Sequence, residues 1–287
     1  MESEIRNIGP LVSIIVTTYN RELQLLEAIN SIIEQTYQNI EILVVDNFSD
    51  YDIQGLIQSF NDPRIVLVQN ENGGNYVVNR NLGILKSTGE YIAFCDDDDY
   101  WLPHKLSEQM RFFTQSPYNA TLGLVYSRCY MLGPAGIYRV GPRAPLYNGH
   151  VFFKMLIIPS VPILTALVKK TVFDDIGMFN EDPVVRCQED NEFWIRLSKN
   201  YSVKSFSEPT AVYREHVENL SNTHKITLSA RFYLHKDMLK NDIFSPFLWI
   251  FYVVPGLFLV LSLQALLSHV RKVIESGSKV RKLLKIR

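Results

Sequence analysis

Four consecutive carboxylates, Asp96 to Asp99, follow directly on the mostly apolar run Tyr91 to Cys95. Adjacent like charges repel, so they either point into water or share a cation, which for hard carboxylate oxygens means magnesium, manganese or calcium. The short apolar run reads as a buried strand, and in an open α/β sheet ligands gather beyond the carboxyl ends of the strands, where these acids fall. A solvated acidic turn is the competing reading of the four acids taken alone. Further along, Gln188 to Leu197 is amphipathic, with Glu189, Asp190 and Glu192 at its front and Arg196 and Lys199 at its back. That polarity suits a helix dipole.

The acids need a scaffold, and the first hundred residues spell one out. Leu11 to Thr18 is a continuous run rich in β-branched residues, expected of a central parallel strand, and Tyr19-Asn20-Arg21 ends it. Leu25, Leu26, Ile29, Ile32 and Ile33 form a helical stripe within Glu22 to Gln35. A strand at Ile40 to Val45, a helix around Ile53 to Phe60, a strand at Ile65 to Val68, a Gly-containing turn at Asn72 to Asn75 and a helix through Lys86 lead to the acid-tipped strand. Strand alternating with helix predicts a doubly wound, mostly parallel sheet flanked by helices. Beyond Trp101 we expect a helix over Pro103 to Thr114, strands at Leu122 to Leu132, Gly136 to Val140 and Ile163 to Val168, and a helix over Thr171 to Met178.

The chain has 287 residues, 47% of them hydrophobic and 21% charged, the balance of a globular protein with a substantial core. Its net charge of -1 conceals an asymmetry, because residues 270–287 hold seven Lys or Arg and one Glu. Ile243 to Ser268 carries no charge at all. As a straight helix, the 25 residues from Ile243 to Leu267 would span roughly 37 Å, but Pro246, Pro255 and Gly256 interrupt it. With the basic tail beside it, the segment is expected to lie in or dip into a membrane surface from the cytoplasmic side; a buried helix or a homodimer contact is the alternative. The polar start of the chain predicts no signal peptide, and the three cysteines fit reduced thiols of the cytosol.

Six stretches carry a resemblance: Val12 to Arg21, Ile42 to Asp50, Asn79 to Ile84, Gly89 to Trp101, Glu189 to Leu197 and Tyr213 to Ser221. Their order and spacing resemble family-2 glycosyltransferases over about residues 10–222. The resemblance implies a GT-A fold, a nucleotide-sugar donor, manganese or magnesium, and inversion at the anomeric carbon. It sets a transferase domain at 1–222, with a nucleotide-binding half at 10–101 and an acceptor half at 102–222; beyond it, the apolar segment 243–268 and the basic tail 270–287 lead us to expect C-terminal helices at 223–287 that associate with a membrane.

Residue roles follow by position. Asp98 matches the direct metal ligand and Asp96 the first acid of the DxD pattern, near ribose and metal; Asp97 fits either place. Asp190 matches the catalytic base, and His216 a histidine that some relatives use on metal or diphosphate. Thr17, Tyr19 and Asn20 resemble nucleoside contacts, Tyr19 by stacking, and Arg80 matches an arginine near the nucleotide whose alternative is a helix-surface ion pair. The second strand ends in Asp46-Asn47 where the family commonly has two acids. An Asn accepts from uracil or thymine N3–H, favouring a UDP- or dTDP-sugar, but it can also donate, which leaves the base open. The expected activity is transfer to a lipid-linked glycan in surface polysaccharide assembly, with no nucleic-acid partner. The alternatives are a soluble transferase acting on a small or protein acceptor and a nucleotide-sugar-binding protein without turnover.

Overall fold

A computed structural model describes residues 9–115, 121–134 and 136–215. His216, the expected boundary at 222, the apolar segment 243–268 and the basic tail 270–287 lie outside the described residues. No helix among the described residues is long and apolar enough to cross a membrane.

Strand β1 (Val12–Thr18) is buried along nearly its whole length, as its uninterrupted apolar run requires, and pairs in parallel with β2 (Ile40–Asp46) on one side and β4 (Tyr91–Asp96) on the other. β3 (Ile65–Gln69) pairs in parallel with β2, giving the order β3-β2-β1-β4. Register then fixes where the chemistry collects. Thr17 lies opposite Asp96 and Thr18 opposite Asp46, so three strands deliver their carboxyl ends side by side.

The intervening helices are α1 (Glu22–Ile33), α2 (Ile53–Ser59) and α3 (Tyr76–Lys86). On α1, Leu25, Ala28, Ile29 and Ile32 recur at helical spacing and are fully buried. The larger three are worth about 1.5–3 kcal/mol each relative to exposure. α3 begins at Asn75, whose side chain accepts from the Val77 amide at 3.2 Å, and it presses against β1 at Gly83. A Cβ at Gly83 would stand 2.5 Å from Cγ2 of the buried Ile15. Gly83→Ala is therefore expected to lower stability by about 1–3 kcal/mol despite the better helix propensity of alanine, measured by chemical denaturation; unchanged stability would mean that α3 can withdraw from β1 freely.

After β4 come β5 (Tyr100–Trp101), α4 (Lys105–Gln115), β6 (Leu122–Gly133), β7 (Gly136–Gly141) and α5 (Phe152–Ile157). β8 (Leu167–Lys169), α6 (Lys170–Ile176), α7 (Glu189–Asn200) and β9 (Ser202–Arg214) complete the described fold. Here the pairing turns mixed: β8 runs antiparallel to both β4 and β6, and β9 runs parallel to β6. The strand expected at Ile163 to Val168 is instead a 3-10 turn, Ile163–Thr165, followed by β8. Pro162 opens that turn, and its carbonyl accepts from both the amide and the hydroxyl of Thr165, at 2.9 and 2.8 Å. α5, β5 and β9 answer to no expected element. β9 matters most, because it pairs with β5 and thereby backs the acid turn.

Candidate active site

The turn after β4 places the four aspartates in four different settings. The Asp99 amide donates to the Asp96 carbonyl at 3.1 Å, closing a tight turn. Asp97 and Asp99 face inward and are buried, whereas Asp96 and Asp98 keep some exposure, 35% and 15% of their side chains. Asp99 accepts the Arg214 amide at 2.9 Å, and burial, reinforced by Asp98 and Asp96, holds its carboxyl well above the usual range. Asp97 accepts from the Thr18 hydroxyl at 2.8 Å and from Arg21 at 2.8 Å. Burial pushes its pKa up to about 6 against the opposing pull of Arg21. Asp98 accepts from the same Arg21 Nη1 at 2.7 Å.

Asp96 accepts from Arg80 Nη2 at 3.1 Å and from the Thr17 hydroxyl at 3.4 Å. Arg80 is 3% exposed, so it is no helix-surface residue; its Nη1 reaches Glu189 Oε1 at 3.0 Å. One planar guanidinium thus bridges the acid turn to the first turn of α7. Burial alone would lower the Arg80 pKa, but Asp96 and Glu189 reverse that and raise it. Its carbon sits 5.2 Å from the Tyr76 ring centroid and 5.6 Å from that of Phe179. The second oxygen of the buried Glu189 has no hydrogen-bond partner among the described residues.

Packing of aromatic side chains holds α7 at this distance. Phe193 stacks on Phe173 at 4.8 Å and meets Phe179 at 4.7 Å; Phe179 in turn reaches Phe94 of β4 at 5.4 Å. Trp194 is fully buried and donates to the Val161 carbonyl at 3.1 Å. With this face of α7 inside, its first turn projects Asp190 into the hollow beside the acids. The carboxyl of Asp190 is pushed up to about 7, first by burial and then by neighbouring Glu189, with Arg80 acting the other way.

Asp96, Asp97, Asp98 and Asp190 line one cleft of about 470 Å³, together with Thr17, Tyr19, Asn47 and Arg80. Tyr19 is 52% exposed at the rim, and Asn47 Oδ1 accepts the Asn72 amide at 2.9 Å. Asn20 and Asp46 do not line the cleft. Asn20 has a left-handed backbone, φ 54°, and its side chain pairs with Asp50, while Asp46 is fully buried and accepts from the Ser49 hydroxyl at 2.6 Å. Several residues of the cleft escaped the sequence analysis: Arg21, Tyr76, Arg186 and Cys187. Arg21 lies inside a motif already singled out, yet nothing in the sequence pairs it with acids 76 and 77 positions away.

No group of three or more His, Cys, Asp or Glu among the described residues forms a complete cation cage. Magnesium and manganese at nucleotide sites do not require one, because one or two carboxylates suffice when phosphate oxygens and waters complete the shell. Asp96 and Asp98, both hard oxygen donors on the cleft wall, fit that demand.

A mixed sheet with a parallel β3-β2-β1-β4 half, acids at the tip of its last strand and a helix N-terminus facing them is a GT-A fold. The chain belongs to glycosyl transferase family 2, whose model matches residues 13–177. It is 31% identical over 212 residues to an uncharacterised glycosyltransferase of Rickettsia bellii, covering 72% of this chain but 29% of that protein. It is 30% identical over 212 residues to the Escherichia coli UDP-Glc:alpha-D-GlcNAc-diphosphoundecaprenol beta-1,3-glucosyltransferase WfaP, covering 74% of this chain and 80% of that one. Among solved structures, Staphylococcus aureus TarS in complex with UDP-GlcNAc matches with TM-score 0.65 at 20% identity, over 82% of this chain and 68% of that one. A mannosyltransferase from Pyrobaculum calidifontis in complex with GDP-Man and Mn2+ matches with TM-score 0.56 at 19% identity, over 81% and 70%.

Proposed function

We propose that the protein is an inverting glycosyltransferase that moves a sugar from a nucleotide-diphosphate donor to a hydroxyl of a lipid-linked glycan at the cytoplasmic face of a membrane. The observation that carries this reading is the shared cleft, lined by Asp96, Asp98 and Asp190, in which Arg80 joins Asp96 to Glu189, the neighbour of Asp190. Inversion in one displacement needs a single proton acceptor on the acceptor's side of the sugar and a stabilised leaving group on the other. Asp190 takes the proton of the attacking hydroxyl as the new oxygen–carbon bond forms, and the bond from the anomeric carbon to the diphosphate oxygen breaks. A carboxyl raised to about 7 is well matched to that task near neutral pH.

Asp96 and Asp98 would hold the divalent ion, with His216 as a further candidate. The ion, when bound, neutralises charge developing on the departing diphosphate. Thr17, Tyr19 and Asn47 face the nucleoside, Tyr19 offering its exposed ring for stacking, and Asp46 and Asn20 hold the loop that presents Asn47. UDP- or dTDP-sugars are the favoured donors, supported by Asn47 and by relatives and neighbours that carry UDP or UDP-sugars in their names. The lipid-linked acceptor rests on WfaP, whose name specifies a diphosphoundecaprenol substrate, and on the apolar segment and basic tail at 243–287.

A thermal-shift screen of nucleotide sugars with and without Mn2+ tests the donor. At a hundredfold excess over Kd the correct donor should stabilise by about 2.7 kcal/mol, and its shift should shrink when the metal is chelated. No shift with any nucleoside-diphosphate sugar would overturn the proposal. Transfer to a diphosphate-lipid-linked sugar, compared with the same sugar lacking its lipid, separates the lipid-linked acceptor from a soluble one.

A further inference from the structure

The same nitrogen of Arg21 serves both Asp97 and Asp98, at 2.8 and 2.7 Å, and among the described residues these are the only hydrogen-bond partners of its guanidinium. Asp98 is also the carboxylate proposed above as the direct ligand of a divalent ion. A guanidinium and a dication cannot share its oxygens at hydrogen-bonding distance without strong repulsion. The two arginines of the acid turn differ in how they are held. Arg80 is locked, with its side chain 4% exposed and pinned at both ends, whereas the Arg21 side chain is 42% exposed at the start of α1 and can swing out without disturbing the core.

From this we infer that Arg21 is an internal counter-cation that occupies the metal's place on Asp98 in the donor-free protein and must release it when the metal–diphosphate enters. This inference rests on the metal reading above. Arg21 is a positioning residue with two consequences. It spares the empty cleft from unneutralised carboxylates, and it opposes free metal until a donor arrives. The diphosphate offers the displaced guanidinium a new anionic partner, so metal and donor bind with positive coupling. Asp97, less exposed than Asp98, would remain the anchor about which Arg21 turns.

The test is a titration of the intact protein with Mn2+, followed by the electron paramagnetic resonance of free ion, with and without UDP. Arg21→Gln keeps length and polarity but removes the charge, and it should bind Mn2+ without nucleotide about tenfold more tightly than wild type, the factor equivalent to about 1.4 kcal/mol. UDP should then improve the metal affinity of the variant less than that of wild type. Arg21→Lys, which keeps the charge but as a shorter and more strongly hydrated ammonium, should fall between them and serves if the glutamine variant does not fold. Equal or weaker Mn2+ binding by the variants overturns the role of Arg21 alone. Failure of every protein to bind Mn2+, with UDP or without it, overturns the metal reading and this inference with it.

Discussion

Replacing Asp190 by Asn should reduce transfer by at least about a hundredfold, and by up to about ten thousandfold, while leaving the donor's thermal shift nearly unchanged. The amide fills the same space in the first turn of α7 but cannot take a proton. Two further readouts separate loss of a base from general damage. Because Asp190 is raised to about 7, wild-type kcat/KM should climb about tenfold per unit on the acid side and level off above that value. The stability effect has the opposite sign. The folded donor-free protein holds this proton more tightly than the unfolded chain, so the group favours folding at low pH and opposes it as pH rises through the folded value. At pH 8 the Asn variant should therefore melt higher than wild type, with a less pH-dependent melting temperature. Substantial transfer by the variant would move the base elsewhere, with Glu189 the first candidate; loss of donor binding would make Asp190 part of the donor site.

Arg80→Met should be the most destabilising single change in the cleft. It removes the cation that bridges Asp96 and Glu189 and leaves a buried carboxylate with no partner on either oxygen among the described residues. Breaking such a pair costs about 3–5 kcal/mol, or roughly 6–20 °C in melting temperature for a domain of this size. Arg80→Lys should recover part of that loss, since one ammonium cannot reach both acids. The double variant Arg80→Met with Glu189→Gln should be more stable than Arg80→Met alone, because the orphaned charge is gone. Melting curves of the four proteins decide it. If Arg80→Met melts like wild type, the bridge contributes nothing and the registration of α7 against β4 rests on the aromatic packing alone.

The first half of this protein is legible because its signals are local. The apolar run of β1, the 3-4 spacing on α1 and the acids beyond Tyr91 each depend on neighbours within one element, and parallel pairing then brings Thr17, Thr18, Asp46 and Asp96 to one edge. Sequence also singled out Glu189, Asp190 and Arg80 by their motifs. It could not distinguish four identical aspartates. That needed the turn at 96–99, which sends Asp97 and Asp99 inward and leaves Asp96 and Asp98 partly open. Nor could it tell that Arg80 is buried rather than on a helix surface, because that depends on Tyr76, Phe179 and Glu189 converging from separate segments.

Sequence by itself determined the strand–helix alternation, the acid-tipped strand and the polarity of α7, since periodicity and charge order are properties of a single element. Only the tertiary structure decided that β9 returns beside β5 to hold Asp99 through the Arg214 amide, and that Arg21 closes over Asp97 and Asp98. Those contacts join residues far apart in the chain. Their energy comes from burial and charge pairing, which no local pattern of residues encodes.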